Sequence, residues 1–294
     1  MMFMPGGLLV DAGAAGEMTL ARTAVLPDTL ASPRSVSNAL GVTVTGAFVL
    51  DRLAFAGLVD AVDGVWIMAD GKPVHMAGPA AADYILTEIP GEAEGLGIER
   101  FQKVLDSVLL RLPDSEGEIR QVVTSLGVLA RTTIPTTQVV SILADVHAAM
   151  IDGAVRSTTV PTSVLRPGID SIDVLQQPEA LQLTVSMFPS MILRPGESEP
   201  PRVLLRDATD STLDIVAARD VIVRSGFLCV SGGHVVTVVA TRINVPGNSA
   251  AARAIGEQVA EALGLPVDVV EAGGMSNPTV DVEVTLGTVW RPLA

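Results

Sequence analysis

Few side chains in this sequence are suited to chemistry, and their spacing narrows the choice. The one thiol, Cys229, sits in the apolar run Phe227-Leu228-Cys229-Val230, which points to a buried inert sulfur rather than a nucleophile. A single cysteine permits no intrachain disulfide, which fits a reduced compartment or a secreted protein that needs no staple. His75, His147 and His234 are scattered without ligand spacing, which argues against zinc. The pairs Gly232-Gly233 and Gly273-Gly274 read as turns, because no Lys-Ser/Thr follows to make a phosphate loop. No Gly-x-Ser-x-Gly elbow is present. Trp66 and Trp290 read as packing residues rather than sugar platforms. The net charge of −14, with no basic run, excludes non-specific binding to nucleic acid, which needs clustered Lys and Arg.

The elements that must position any site follow from the apolar pattern. Hydrophobic residues make up 48% of the 294 positions and aromatics only 3%, so a sizeable core is built mainly from Val, Ala and Leu. Short β-branched runs broken by Gly and Pro predict strands alternating with helices, an α/β class. Strands are predicted at Phe48–Leu50 and Val65–Met68, with helices at Arg52–Val62, Ala77–Ile85, Ile98–Leu110, Glu116–Ala130 and Gln138–Met150. Glu88–Gly97 reads as a loop. Prolines punctuate 155–201, with extended pairing predicted at Gln182–Ser186 and an exposed linker at Arg194–Pro201. Beyond it, strands are predicted at Val203–Leu205, Phe227–Val230, Val235–Ala240 and Val267–Val270. One helix is capped by Asp210 or Ser211 and ended by Gly226, and another is capped by Asn248 or Ser249 and ended by Gly264. The last strand alternates Val280, Val282, Val284 and Leu286 with Asp281, Glu283 and Thr285, which predicts one buried and one wet face. No stretch reaches the ~18 apolar residues of a membrane span. Met1–Val10 lacks the features of a signal peptide and reads like the interior of a domain, so a missing leader or upstream segment is expected.

With those elements placed, the tail from Arg202 to Trp290 resembles the LytR C-terminal domain. The likeness rests on the opening strand Arg202–Ala208, Ser225-Gly226-Phe227 after the helix, Thr241-Arg242-Ile243, and the closing Val284–Trp290. The first half resembles the LytR-CpsA-Psr domain at Leu40-Gly41-Val42, Phe48, Asp51, Phe55, Leu58–Val65, Gly71–Tyr84 and Ile98–Leu105. The pairing is of the actinobacterial type. It implies a mixed α/β domain at 1–155, a Pro-rich connection at 156–201 and a small α/β sandwich-type domain at 202–294.

Members of that family resemble phosphotransferases that move a glycopolymer from a polyprenyl-pyrophosphate carrier to peptidoglycan, outside the cytoplasm. That chemistry needs arginine forks around pyrophosphate and an acidic cluster holding a divalent metal. This sequence departs where the chemistry lies. The family's Pro-Arg-Asp motif falls on Pro5-Gly6-Gly7, the first arginine of its Arg…Arg-Gln helix falls near Leu96 or Gly97, and the first glycine of Gly-Gly-Val is Asp63. Arg100 and Asp60 remain as residual phosphate or lipid-head contacts, against plainer readings of Arg100 as a surface charge and Asp60 as a cap before the Gly64 turn. The resemblance therefore implies a degenerate, N-terminally truncated relative, a non-catalytic envelope module with no cofactor. Its partners would be a polyprenyl-phosphate lipid or cell-wall glycan, or an envelope protein recognised through exposed strand edges of the C-terminal domain. The alternative is an active phosphotransferase with Mg²⁺ and a rearranged site using Arg100, Asp60 and Arg22 or Arg34, whose side chains would have to converge.

Overall fold

A computed structural model describes residues 1–69, 71–87, 94–166 and 172–292. The chain begins β1 (Met2–Phe3), β2 (Leu9–Asp11), β3 (Glu17–Thr19), α1 (Leu20–Thr23), α2 (Ala31–Leu40), β4 (Phe48–Leu50), α3 (Arg52–Ala61), β5 (Val65–Ala69), β6 (Lys72–Met76) and α4 (Gly78–Leu86). It continues α5 (Glu94–Leu110), α6 (Glu116–Ser125), β7 (Ala130–Thr132), α7 (Thr136–Ile151), β8 (Thr158–Thr159), β9 (Thr162–Arg166), β10 (Ile172–Leu175) and α8 (Gln177–Met187). It closes with β11 (Arg202–Asp207), α9 (Thr212–Arg224), β12 (Leu228–His234), β13 (Arg242–Val245), α10 (Ala250–Ala262), β14 (Val270–Ala272) and β15 (Val282–Leu286). The mixed α/β class expected from the sequence is what the structure has.

Two compact units result. The first comprises Met1–Gly6, Thr45–Val160 and Arg166–Ser171. It is largely helical, with β5 and β6 paired antiparallel as a hairpin and β4 paired antiparallel with β7. Its core gathers Phe55, Val59, Val65, Ala81, Val104 and Val108. The helices start where local chemistry satisfies their first amides. The Asp51 carboxylate accepts from Ala54 N at 2.8 Å. Ser115 accepts from Glu118 N while its hydroxyl donates to the Glu118 carboxylate at 2.6 Å, a reciprocal capping pair. The α3–α4 contact depends on Gly78, where a Cβ would lie 2.0 Å from the Ala56 carbonyl oxygen.

The second unit comprises Gly7–Val44, Pro161–Leu165 and Ile172–Ala294. Its sheet has the order β12-β11-β15-β13-β14. β11 runs parallel to both neighbours, β13 antiparallel to β15 and parallel to β14. Val203, Ile222, Ile243, Val259, Val284 and Trp290 are among the residues that fill its core, and the Trp290 indole donates to Leu263 O at 2.9 Å. The units do not follow the boundaries read from the sequence: residues 7–44 pack with the C-terminal sheet. The Asn38 amide donates to Cys229 O at 2.7 Å, 191 residues away.

Several elements differ from expectation. Gln182–Ser186 is helical, inside α8. Pro178 falls within the first two helical positions, where its missing N–H costs nothing. Glu94–Gly97 already belongs to α5, and the rest of the expected loop, 88–93, lies outside the described residues. The expected strand at Val267–Val270 is mostly a 3₁₀ turn, and extended structure begins at Val270. Val235–Ala240 forms no strand. The face of β15 expected to be wet is largely buried: Glu283, and Asp281 just before the strand, are each 3% exposed. Partners that the alternation could not reveal make this tolerable: Asp281 accepts from Gly196 N and Arg202 N, and Glu283 from Ser276 N.

Candidate functional site

Asp60 lies on the last turn of α3, and its Oδ1 accepts from Gly78 N at 2.6 Å, the first amide of α4. Its backbone carbonyl receives Asp63 N at 3.0 Å, the turn expected from sequence. Arg100 is 9% exposed and is not a surface charge. Its Nε donates to Tyr84 O at 3.1 Å and its Nη2 to Thr87 O at 2.6 Å, and the guanidinium carbon stands 5.9 Å from the Tyr84 ring centre. The two residues therefore hold opposite ends of one helix, an acid at its amides and a cation at its last carbonyls, as the helix dipole favours. The nine residues of α4 separate these ends by about 12 Å at ~1.5 Å per residue. Asp60 and Arg100 do not converge.

Of the other expected positions, Gly6, Gly7 and Gly97 carry no charge, and Arg22, Arg34 and Asp63 lie elsewhere. Gly97 lies inside α5, where a Cβ would meet nothing closer than Arg100 Nη2 at 3.7 Å. Gly6 ends the first segment of one unit and Gly7 begins the other, with Gly7 O accepting from Asp173 N at 3.1 Å. Arg22 and Arg34 belong to the second unit, and Arg34 pairs with Asp28 at 2.8 Å on the surface. Asp63 sits at φ 60°, a left-handed position where glycine is the low-cost choice.

Trp66 corrects the packing assignment: it is 55% exposed. Its ring lies 5.0 Å from that of its cross-strand partner His75, on the outer face of the β5–β6 hairpin. Trp290 packs as expected. His147 is buried, held by Leu109 O at 2.8 Å and Asp114 at 3.3 Å.

The polar centre of the second unit was not anticipated. Arg202 is 1% exposed. It donates through Nε to Asn38 Oδ1 at 3.3 Å and through Nη2 to Asn38 O, while Nη1 reaches the Thr279 carbonyl and hydroxyl. Burial lowers its pKa to about 10, opposed by Asp281, so the group stays cationic at neutral pH. Gly41, at φ 68°, is fixed by the same junction, because a Cβ there would lie 2.4 Å from Thr279 Oγ1. Arg206 pairs with Glu283 at 3.2 Å. The available signal was the match between Arg202 and Arg206 on one strand and Asp281 and Glu283 on another.

Nearby, Arg219 Nη2 meets Asp11 Oδ2 at 2.9 Å. Desolvation raises the Asp11 pKa, with Arg219 pulling the other way. Burial also pushes the Cys229 thiol up, with Asp11 adding to it, which leaves an inert thiol. Asp11, Asn38, Gln177, Cys229 and Ser231 line a cavity of about 30 Å³, room for little more than a water and far too small for a sugar or a lipid tail.

Among the described residues, no group of three or more His, Cys, Asp and Glu is placed to hold a metal ion. The Asp60 carboxylate is already engaged by a helix amide, so the described residues do not fit the divalent-metal centre that the resemblance implies. Among them too, no helix is long and apolar enough to cross a membrane.

No protein-family model and no curated protein matches this chain. Solved structures do. TagV of B. subtilis is 13% identical with a TM-score of 0.53, covering 64% of this chain and 82% of that one. The protein gbs0355 of Streptococcus agalactiae is 13% identical with a TM-score of 0.54, covering 64% and 73%. TagT, solved bound to LI-WTA, is 12% identical with a TM-score of 0.51, covering 65% and 78%. The likeness is one of fold, and the fold is LytR-CpsA-Psr-like.

Proposed function

We propose that this chain is a non-catalytic cell-envelope protein, related in fold to glycopolymer ligases and serving as a binding or scaffolding module in cell-wall assembly. The observation that carries the reading is the bracing of α4. Asp60 and Arg100, the two residues the resemblance leaves for phosphate or lipid-head contact, are spent on backbone groups at opposite ends of that helix. By the resemblance, Gly6, Gly7 and a position near Leu96 or Gly97 stand where charged family residues would act. Phosphoryl transfer relies on preorganised positive charge around the leaving group, and each lost donor costs orders of magnitude in rate. The proposed ligands are a polyprenyl phosphate or a cell-wall glycan, met outside the cytoplasm, with an envelope protein partner engaged through residues 202–294.

The test is thermal unfolding of the purified chain with polyprenyl phosphate and, separately, with peptidoglycan fragments, beside an assay for glycopolymer transfer from a polyprenyl-pyrophosphate donor with Mg²⁺ present. Ligand at ~100 times its Kd should stabilise the protein by about 2.7 kcal/mol, a rise in melting temperature of several degrees, with no transfer. A flat response to lipids and glycans alike sinks the binding reading. Measurable transfer overturns the non-catalytic one in favour of a rearranged phosphotransferase site.

A further inference from the structure

The contact that fastens the β2–β3 hairpin to α9 gathers more negative charge than positive. In the hairpin Asp11 stands directly opposite Glu17, and like charges so placed destabilise a sheet. One cation serves both. Arg219 Nη2 meets Asp11 Oδ2 at 2.9 Å, with the two side chains 12% and 8% exposed. The same guanidinium also donates through Nη1 to Asp220 Oδ1 at 3.0 Å. Asp11 Oδ1 takes a further donor, Gly13 N at 2.6 Å. Glu17 has no ion-pair partner of its own among the described residues and feels Arg219 only at longer range. The other titratable groups on the surrounding elements are occupied elsewhere or uncharged. Arg224 of α9 stands 3.9 Å from Asp220, Arg34 of α2 pairs with Asp28, and His234 of β12 lies beside Asp207. Arg22 of α1 is exposed, Asp173 of β10 is buried, and Cys229 of β12 keeps its proton.

Opposed carboxylates that share one cation titrate as a pair, and a proton taken by either relieves both. We infer that Asp11, Glu17 and Arg219 form a proton-sensitive clasp, which takes up a proton in mild acid and then holds the hairpin more tightly on α9. Both carboxyls are shifted in the direction this requires. Asp11 is raised by desolvation, against Arg219. Glu17 is raised by desolvation too, with Arg219 opposing and Asp11 adding, yet the residue keeps contact with solvent, which gives the proton a way in. A carboxyl raised in the docked hairpin binds its proton more tightly there than in a freed one. Its contribution is whole below the ordinary carboxylate range of about 4 and is lost as pH rises through the raised value. The clasp covers something readable, because Leu9, Val10 and Asp11 line the same cavity as Cys229, the chain's one thiol.

The test is the rate at which a maleimide labels Cys229 in the full chain, compared between wild type and Glu17→Gln from about pH 8 down to about pH 5. Where opening is fast against labelling, the rate follows the opening equilibrium, and the ratio of the two proteins cancels the reagent's own pH dependence. Glu17→Gln is neutral throughout and mimics the protonated clasp. It should be labelled several-fold more slowly than wild type at the alkaline end. The ratio should close as pH falls, by up to about tenfold per pH unit, the slope of one linked proton. A ratio that stays constant across the range overturns the proposal, since the side chain would then matter without its proton. So does a ratio of one at every pH, or a Glu17→Gln protein that melts below wild type at the alkaline end or fails to fold.

Discussion

Asp60 and Arg100 show how a residue type survives while its task changes. Each is a charged group at a helix end, and each satisfies backbone atoms that would otherwise lack a partner. Asp60→Ala and Arg100→Met are therefore expected to lower stability by about 1–3 kcal/mol each, as loss of a charge-assisted hydrogen bond at a partly buried helix terminus does. Asp60→Asn should recover part of the loss, because an amide oxygen still accepts from Gly78 N. Urea denaturation reads all three; a variant within error of wild type would remove the bracing role. The sequence named both residues as notable but not their partners. Those are a main-chain amide and carbonyls on α4, and backbone atoms leave no mark in side-chain spacing. Trp66 was misjudged for a related reason. Alternation within β5 puts Trp66 and Ile67 on opposite faces, but which face is buried depends on what the hairpin packs against.

At the scale of elements, caps and periodicity were readable and burial was not. Ser211 and Ser249 each cap the helix that follows them, as read from the sequence, and Gly226 and Gly264 take the left-handed positions that follow a helix. β15 was placed correctly, yet its charged face was expected in water. The strand lies inside the sheet, between β11 and β13, and arginines on β11 make its acids tolerable. The Arg202 junction is the element-scale hinge of that arrangement, a buried cation shared between β11, the last turn of α2 and Thr279. Truncating one partner of a buried charged network leaves the others unpaired, so Arg202→Ala is expected to cost about 3–5 kcal/mol. Asn38→Ala should cost less, because the Asn38 carbonyl remains. Denaturant midpoints of the two variants test the order, and equal small losses would show the junction to be dispensable. The expectation that sheet edges recruit a partner also narrows here. On the edge strand β12, Cys229 O and Ser231 O already accept side-chain amides from Asn38 and Gln177, which blunts that edge against strand addition.

For the molecule as a whole, the fold class was legible and the division of the chain was not. Local pattern gives elements; it does not say that residues 7–44 and 202–292 belong to one unit, since nothing local links positions so far apart. A fragment of residues 202–294 loses the Asn38 partner of Arg202 and the Asp11 partner of Arg219. It is therefore expected to melt well below the full chain or to fail to fold, as thermal unfolding followed by circular dichroism would show. A fragment as stable as the parent would make the early segment a passenger. The same tie has a consequence in time. Residues 7–44 leave the ribosome before the strands they cover. At ~5–20 residues per second, the 191 residues between Asn38 and Cys229 impose a wait of about 10–40 s. Through that interval the early segment has no sheet to settle on, and the second unit can close only after its late strands have been made.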